Sequence, residues 1–348
     1  MTLLFAALAV ATPTQIAGLD GAHIQRPCWS PDGRQLSYEA NYHDRKTIET
    51  WVGSPSGNFS QVKLTSTGSS PLTAGFAKPT TTAVVHELSW APSAIGRHVF
   101  SASGDARDYE LYISPASLLA PSPAADGGPA WSPDGRYIVF TSARTGGGDL
   151  YLVDVSAVEL PPRQLSSDPT SAELFATWSS MSDAIAYVGH SDTGDNLWWL
   201  PRLDAPPAQL TDWSGNQIRP SFSPSGRELA FYANRSETDR FDLFVLDVGP
   251  ASAEPRLLLE GVYVDSQGPS WTPDGAALVV VSDDNDAYDP IVRVAADGSG
   301  HEALALGTVG NTDLDLTEID GKVWLAWTAQ GRADDPVRDF RRLFVHEI

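Results

Sequence analysis

The chain has 348 residues, with 44 Asp and Glu against 23 Lys and Arg and 42% hydrophobic residues, which is enough apolar content for a large core and too much for a disordered chain. A formal charge of −21 argues against nucleic acid or an anionic membrane surface as partner, and no apolar run approaches the roughly eighteen residues of a membrane-spanning helix. The single cysteine, Cys28, permits neither an internal disulfide nor a zinc-type ligand set.

At the N-terminus, residues 3–11 form an apolar run ending in Ala9-Val10-Ala11. This matches the hydrophobic region and small-residue cleavage site of an export signal, without a basic region ahead of it. Residues 1–11 are therefore expected to be a signal peptide and residues 12–348 a single domain, in a protein that is periplasmic or extracellular. Cys28 lies too far from the apolar run to carry a lipid anchor. Thr14–Ala17 reads as an outer strand placed ahead of the first repeat.

The repeats begin at Pro27-Cys28-Trp29-Ser30-Pro31-Asp32-Gly33-Arg34. A weaker copy follows at Leu88-Ser89-Trp90-Ala91-Pro92. The pattern returns in full at Pro129-Ala130-Trp131-Ser132-Pro133-Asp134-Gly135-Arg136, and weakly at Ala176-Thr177-Trp178-Ser179-Ser180. Pro220-Ser221-Phe222-Ser223-Pro224-Ser225-Gly226-Arg227 and Pro269-Ser270-Trp271-Thr272-Pro273-Asp274-Gly275 come next, and a degenerate copy centres on Ile319-Asp320-Gly321-Lys322. The aromatic positions, with Thr317 as the seventh equivalent, are separated by 61, 41, 47, 44, 49 and 46 residues. A period in the forties with strand-like content marks a propeller.

Within a unit, Ser-Pro-Asp-Gly is a tight turn: Pro presets φ, Asp bonds local backbone, and Gly takes the left-handed conformation. A β-rich run follows, as in Tyr137–Phe140, Leu229–Tyr232 and Leu278–Val281, then a second run such as Asp149–Val153 or Asp242–Leu246, then a short outer strand. With the strand that carries the aromatic, each unit has four strands. The Trp side chains are expected to pack between neighbouring sheets. The seventh unit ends after its third strand, so Thr14–Ala17 would complete it and remove an exposed edge. The fold expected is all-β: a single β-propeller of four-stranded blades, seven in preference to six, closed by the N-terminal strand. The segment 66–86, rich in Thr, Ser, Gly and Pro, reads as a surface loop.

The W-S-P-D-G repeats resemble those of the TolB-like family, over about residues 14–348. The resemblance implies a β-propeller and, commonly, an exported protein. The repeat residues are fold determinants in that family and imply no catalytic assignment. TolB itself carries an α/β domain ahead of a six-bladed ring, whereas this sequence shows only the export signal ahead of seven units, so TolB's partner and transport role are not carried over.

Loops converging on one end of the channel are where binding is expected. Candidate ligand-binding residues are His23, His43, His86, Arg144, His190 and Arg219, on a polar face that also carries Arg26, Glu87, Glu173, Asp265, Asp313 and Asp315. The four histidines, placed in loops of that face, could ligate a transition metal if they converge, as in the oligogalacturonate-lyase type of seven-bladed enzyme. Asp283, Asp284, Asp286 and Asp289 put four carboxylates within seven positions and could supply oxygens to Ca²⁺, though not in EF-hand spacing. No other cofactor is expected. Gly189-His190-Ser191-Asp192-Thr193-Gly194 departs from a nucleophile elbow in its Gly spacing and joins two strands. With no hydrolase domain following the ring in this sequence, a prolyl-oligopeptidase-type peptidase is not expected either. The reading favoured is an exported, monomeric, non-catalytic scaffold that recognises a protein segment or glycan at the channel mouth. The alternative is a carbohydrate-active lyase or hydrolase with a metal or acid/base site there.

Overall fold

The same turn chemistry recurs in several of the repeats. In the third repeat the Ser132 hydroxyl donates to Asp134 (2.6 Å), the Arg136 N–H donates to Asp134 (3.0 Å), and the Gly135 N–H closes the turn on the Ser132 carbonyl (2.8 Å). Gly135 has φ 73°, and Gly33, Gly226 and Gly275 lie at 66°, 70° and 70°, a region that costs glycine nothing and other residues about 1–2 kcal/mol. The first and sixth repeats make the same hydroxyl-to-Asp bond, from Ser30 to Asp32 and from Thr272 to Asp274.

A computed structural model describes residues 13–19, 21–42, 47–56, 58–61, 84–92, 97–103, 109–114, 117–167, 171–192, 194–234, 240–249, 254–283, 289–332 and 340–348. The export signal expected over 1–11, and all but the last three residues of the segment 66–86, lie outside them. Seven four-stranded antiparallel sheets make the blades. Blade 1 is His23–Trp29, Leu36–Tyr42, Thr47–Ser54 and Asn58–Gln61. Blade 2 is Val84–Trp90, His98–Ser103, Tyr109–Ile113 and Ser117–Leu119. Blade 3 is Asp126–Trp131, Tyr137–Ser142, Asp149–Asp154 and Arg163–Gln164. Blade 4 is Ala172–Trp178, Ile185–Ser191, Gly194–Leu200 and Ala208–Gln209. Blade 5 is Asn216–Phe222, Glu228–Asn234, Phe241–Asp247 and Arg256–Val262. Blade 6 is Ser270–Trp271, Ala277–Val281, Ile291–Ala295 and His301–Ala303. Blade 7 takes Thr312–Ile319, Lys322–Ala329 and Arg342–Glu347 from one end of the chain and Thr14–Ala17 from the other. Thr14 pairs with Val345, Gln15 with Phe344 and Ala17 with Leu343. No helix among the described residues is long and apolar enough to cross a membrane.

The core is a set of layers, each between two adjacent blades. Strands buried on both faces read as continuous apolar runs, and Ile138-Val139-Phe140 and Leu278-Val279-Val280-Val281 are buried throughout. Phe140 and Ile138 pack toward blade 2 with Val99, Leu111 and Trp131, while Val139 packs toward blade 4 with Trp178 and Ile185. The repeat tryptophans Trp29, Trp90, Trp131, Trp178 and Trp271 are all buried. Three of them also tie blades together. The indole N–H of Trp90 donates to the Cys28 carbonyl, that of Trp178 to Ala130 and that of Trp271 to Ser221. Each acceptor sits one residue before the aromatic of the preceding blade.

Gly33 belongs to blade 1 but abuts blade 7: a Cβ there would lie 2.4 Å from Ile319 Cγ1, whereas one at Gly275 would lie 3.6 Å from Pro224 Cδ. Gly33→Ala is expected to cost about 2–4 kcal/mol, from left-handed strain plus overpacking, and Gly275→Ala about 1 kcal/mol. Urea unfolding of the two variants checks this, and equal losses would contradict the closure contact. Deleting residues 13–18 is expected to bare the Arg342–Glu347 edge and produce aggregation. Light scattering and melting identical to the intact chain would show that the strand is dispensable.

Candidate functional site

The inner strands, which carry the repeat aromatics, face the channel, and their pairing is interrupted at one place in blade after blade. Register shifts fall between Gln25 and Cys28, His86 and Ser89, Gly127 and Ala130, Leu174 and Thr177, Ile218 and Ser221, and Thr312 and Leu314. Each contains a residue with left-handed backbone: Arg26 (φ 51°), Glu87 (56°), Gly128 (58°), Phe175 (53°), Arg219 (55°) and Asp313 (46°). Gly268 (97°) stands at the same distance before Trp271. These are β-bulges, which re-aim a side chain and free a backbone N–H from the ladder. Five of the seven positions hold a residue that pays a left-handed penalty, and such strain persists only where the surroundings fix it.

The surroundings here are carboxylates that receive the freed N–H groups across blade boundaries. Glu39 of blade 1 accepts from the Glu87 N–H of blade 2 (2.9 Å). Glu87 accepts from the Gly128 N–H of blade 3 (2.7 Å) and from the Ser101 hydroxyl (3.1 Å). Asp265 of blade 6 accepts from the Leu314 N–H of blade 7 (2.5 Å) and from Gln267. Asp313 of blade 7 accepts from the Ser266 N–H and hydroxyl and from the Arg26 N–H (3.3 Å). Asp315 accepts from the Trp29 N–H of blade 1 (2.6 Å) and from Leu316. Burial, and then the charge of Asp313, pushes the Asp265 carboxyl well above the usual range. Burial raises Asp315 to about 7, against the lowering effect of the Trp29 and Leu316 N–H groups.

Within this ring lies a cavity of about 280 Å³. Arg26, Glu39, Glu87, Phe175, Arg219 and Gln267 are among its lining residues. Arg26 Nη1 stands 3.6 Å from Glu39, and the Arg219 guanidinium lies 3.8 Å over the ring of Phe175, a cation–π pair. Phe175 is 36% exposed, so this apolar ring meets solvent inside the channel. Burial, and next the positive charge of Arg26, lowers the Arg219 pKa to about 10, which leaves it cationic at neutral pH.

The structure distributes the sequence-predicted residues differently from a convergent loop cluster. Arg219 is in the channel wall. Arg144 is held in blade 3 by Asp126 (2.9 Å), Ser142 (2.7 Å) and the Ala120 carbonyl, over the Tyr151 ring. His23 begins the first strand of blade 1 and meets Phe340 edge-on. His190 lies in the second strand of blade 4, cross-strand from Asp195, with Nδ1 2.5 Å from its carboxylate. His86 is in the strand Val84–Trp90, and His43 lies outside the described residues. Three of the four histidines thus sit in strands and not in loops, because the blades pair further toward this face than the turn signals indicate. Among the described residues no group of three His, Cys, Asp or Glu could hold a metal ion. Of the acidic loop, Asp283 pairs with Arg240 (3.9 Å) and the Asp289 carbonyl accepts from Asn311; Asp284 and Asp286 lie outside the described residues. Glu39 and Phe175 were missed from sequence. Phe175 could have been found, because the bulge falls three residues before the repeat aromatic in five units.

A buried acid whose folded pKa is raised binds its proton more tightly in the folded state. Stability then falls as pH rises from the unfolded value near 4 to the folded value near 7. Lowering pH from 8 to 5 is therefore expected to stabilise the wild type relative to Asp315→Asn, by on the order of 1–3 kcal/mol. Parallel melting curves for the two proteins across that range would contradict it.

No protein-family model matches the sequence. A 113-residue stretch is 32% identical to a protein TolB homolog of Chlorobium chlorochromatii, covering 31% of this chain and 23% of that relative. A 196-residue stretch is 26% identical to dipeptidyl-peptidase 5 of Aspergillus fumigatus, covering 54% of this chain and 22% of that one. The chain thus spans less than a quarter of the length of these curated relatives. Among solved structures, an oligogalacturonate lyase from Vibrio parahaemolyticus superposes with a TM-score of 0.62 at 10% identity, over 97% of this chain and 93% of the other; at that identity the likeness is one of fold. Seven four-stranded sheets make this chain a seven-bladed β-propeller, similar over a part of its sequence to a TolB homolog and in its fold to a solved TolB.

Proposed function

We propose that the ring is an exported scaffold that binds a segment of another protein in its channel and carries out no chemistry there. The observation that carries this reading is how the channel's polar groups are used. Glu39, Glu87, Asp265, Asp313 and Asp315 each accept hydrogen bonds that join one blade to the next. An acid engaged in this way holds the scaffold in place and is poorly placed to shuttle protons. What faces the cavity besides is a guanidinium stacked on an exposed aromatic ring, a pairing that suits peptide groups and apolar side chains. A protein segment is favoured over a glycan because Arg219 covers one face of Phe175, the surface on which a sugar would stack. The metal form of the lyase or hydrolase alternative called for converging histidines; the two whose side chains are described lie in blades 1 and 4, each against its own neighbour. Export rests on residues 3–11.

Peptide-display selection on the purified chain tests this reading. Binders are expected whose affinity falls about tenfold or more in Phe175→Ala and is unchanged in Met181→Ala, a residue 73% exposed on a turn. Selection that enriches nothing, or binders indifferent to Phe175, would overturn it.

A further inference from the structure

The hydrogen-bonding capacity of the channel is unevenly used. Its carboxylates are engaged. Glu39 takes the Gln25 side chain at 3.0 Å and the Glu87 N–H at 2.9 Å, and faces Arg26 at 3.6 Å. Both oxygens of Asp313 and both of Asp265 accept N–H groups. Arg219 stands in contrast. Among the described residues its guanidinium has no hydrogen bond and no ion pair, only the Phe175 ring 3.8 Å away. A guanidinium offers five N–H donors in a planar fork, and leaving such a group largely buried without an acceptor is costly. Arg26 lines the same cavity, and the two cations repel one another. Glu87, Asp265 and Asp313 act on the Arg219 charge from a distance, but their oxygens are taken up by N–H and hydroxyl groups, so the channel has donors to spare at Arg219 while its acceptors are occupied.

We infer that Arg219, backed by Arg26, is a recognition site for a carboxylate carried by the bound protein segment, either its chain terminus or an Asp or Glu side chain. The inference rests on the protein-segment reading above. The planar fork matches a carboxylate with two parallel N–H···O bonds. Phe175 fixes the plane of the guanidinium and offers its exposed edge to the carbon chain that bears the acid. The surrounding field works against long-range attraction, since the chain carries −21, so selectivity comes from contact and not from steering.

Two measurements on the full chain separate this inference from the reading beneath it. The first uses hexanoate and the uncharged hexanamide at matched ionic strength. Hexanoate is expected to raise the melting temperature by mass action on the folded state and hexanamide not to. Arg219→Gln removes the effect and Arg219→Lys keeps part of it. Because Arg219 holds no hydrogen bond, both variants are expected to melt close to wild type without ligand. Equal effects of acid and amide, or a hexanoate effect that survives Arg219→Gln, would overturn the carboxylate site.

The second uses fluorescently labelled, N-acetylated decapeptide mixtures lacking Asp and Glu, made as free acid and as C-terminal amide, with a third amidated mixture carrying one internal Glu. Tighter binding by about 10–100-fold, the worth of a charge-assisted bond, is expected for the free acid if a chain terminus is read, or for the internal-Glu form if a side chain is. Either preference vanishes in Arg219→Gln. Peptides that bind equally in all three forms would overturn the inference and leave protein-segment binding standing. A hexanoate effect with no peptide binding would support the carboxylate site and overturn the protein-segment reading.

Discussion

A backbone N–H, released from its own sheet by a bulge and taken up by a carboxylate on the next blade, is the interaction on which this ring depends. A propeller blade satisfies most of its backbone internally, so blades are otherwise joined by apolar packing and by side-chain bonds such as those of the repeat tryptophans. Here the bulges open one donor per inner strand, and Glu39, Glu87, Asp265, Asp313 and Asp315 span blade boundaries to receive donors near or at them. Where the acceptor is ionised, such bonds are about twice as strong as neutral ones. The left-handed backbone at Arg26, Glu87, Phe175, Arg219 and Asp313 is the strain that this arrangement has to offset.

The same device explains the electrostatics of the channel. Burying acids is costly, and Asp265 and Asp315 respond by holding their protons more tightly. That cost secures the join between blades 6, 7 and 1, where the closing blade is assembled from both ends of the chain. Around blades 4 and 5 the wall differs: Phe175 and Arg219 occupy the bulge positions, and neither bonds across a boundary as the acids do. The acids thus join blades around part of the channel wall, and the stacked guanidinium occupies another part of it.

How much of this was legible in the sequence follows from what repeats. Turn residues such as Ser132, Asp134 and Gly135 act on their own neighbours, so their spacing gave the blades, their number and the closing strand Thr14–Ala17. The tryptophans were readable as inter-blade packing because they recur at a fixed offset from those turns. The site was harder. Arg219 appeared among the candidates as one polar residue of many on its face, and its stacking on Phe175 depends on a side chain from the preceding blade. Glu39 was invisible because it sits within an ordinary strand, Leu36–Tyr42, and acquires its role from a partner 48 residues away. Histidines at strand ends drew attention through their chemistry, yet His190 turned to its own hairpin and found Asp195.

The way blade 7 is assembled also bears on how the chain reaches this state. Most inter-blade bonds join residues some 40–50 positions apart, such as Gly128 to Glu87 at 41, and neighbouring blades can dock as they form. The bonds that close the ring span far more chain: 286 positions from Trp29 to Asp315, and 319 from Arg332 to the Pro13 carbonyl. The entropy of closing the longer loop exceeds that of the shorter by roughly 2 kcal/mol, and contacts of such separation form late and slowly. During synthesis the first six blades therefore stand as an open arc, its two unpaired ends accessible to other strands. The vulnerable interval for this protein is set by how quickly one four-residue strand finds a sheet whose other members are the last to be made.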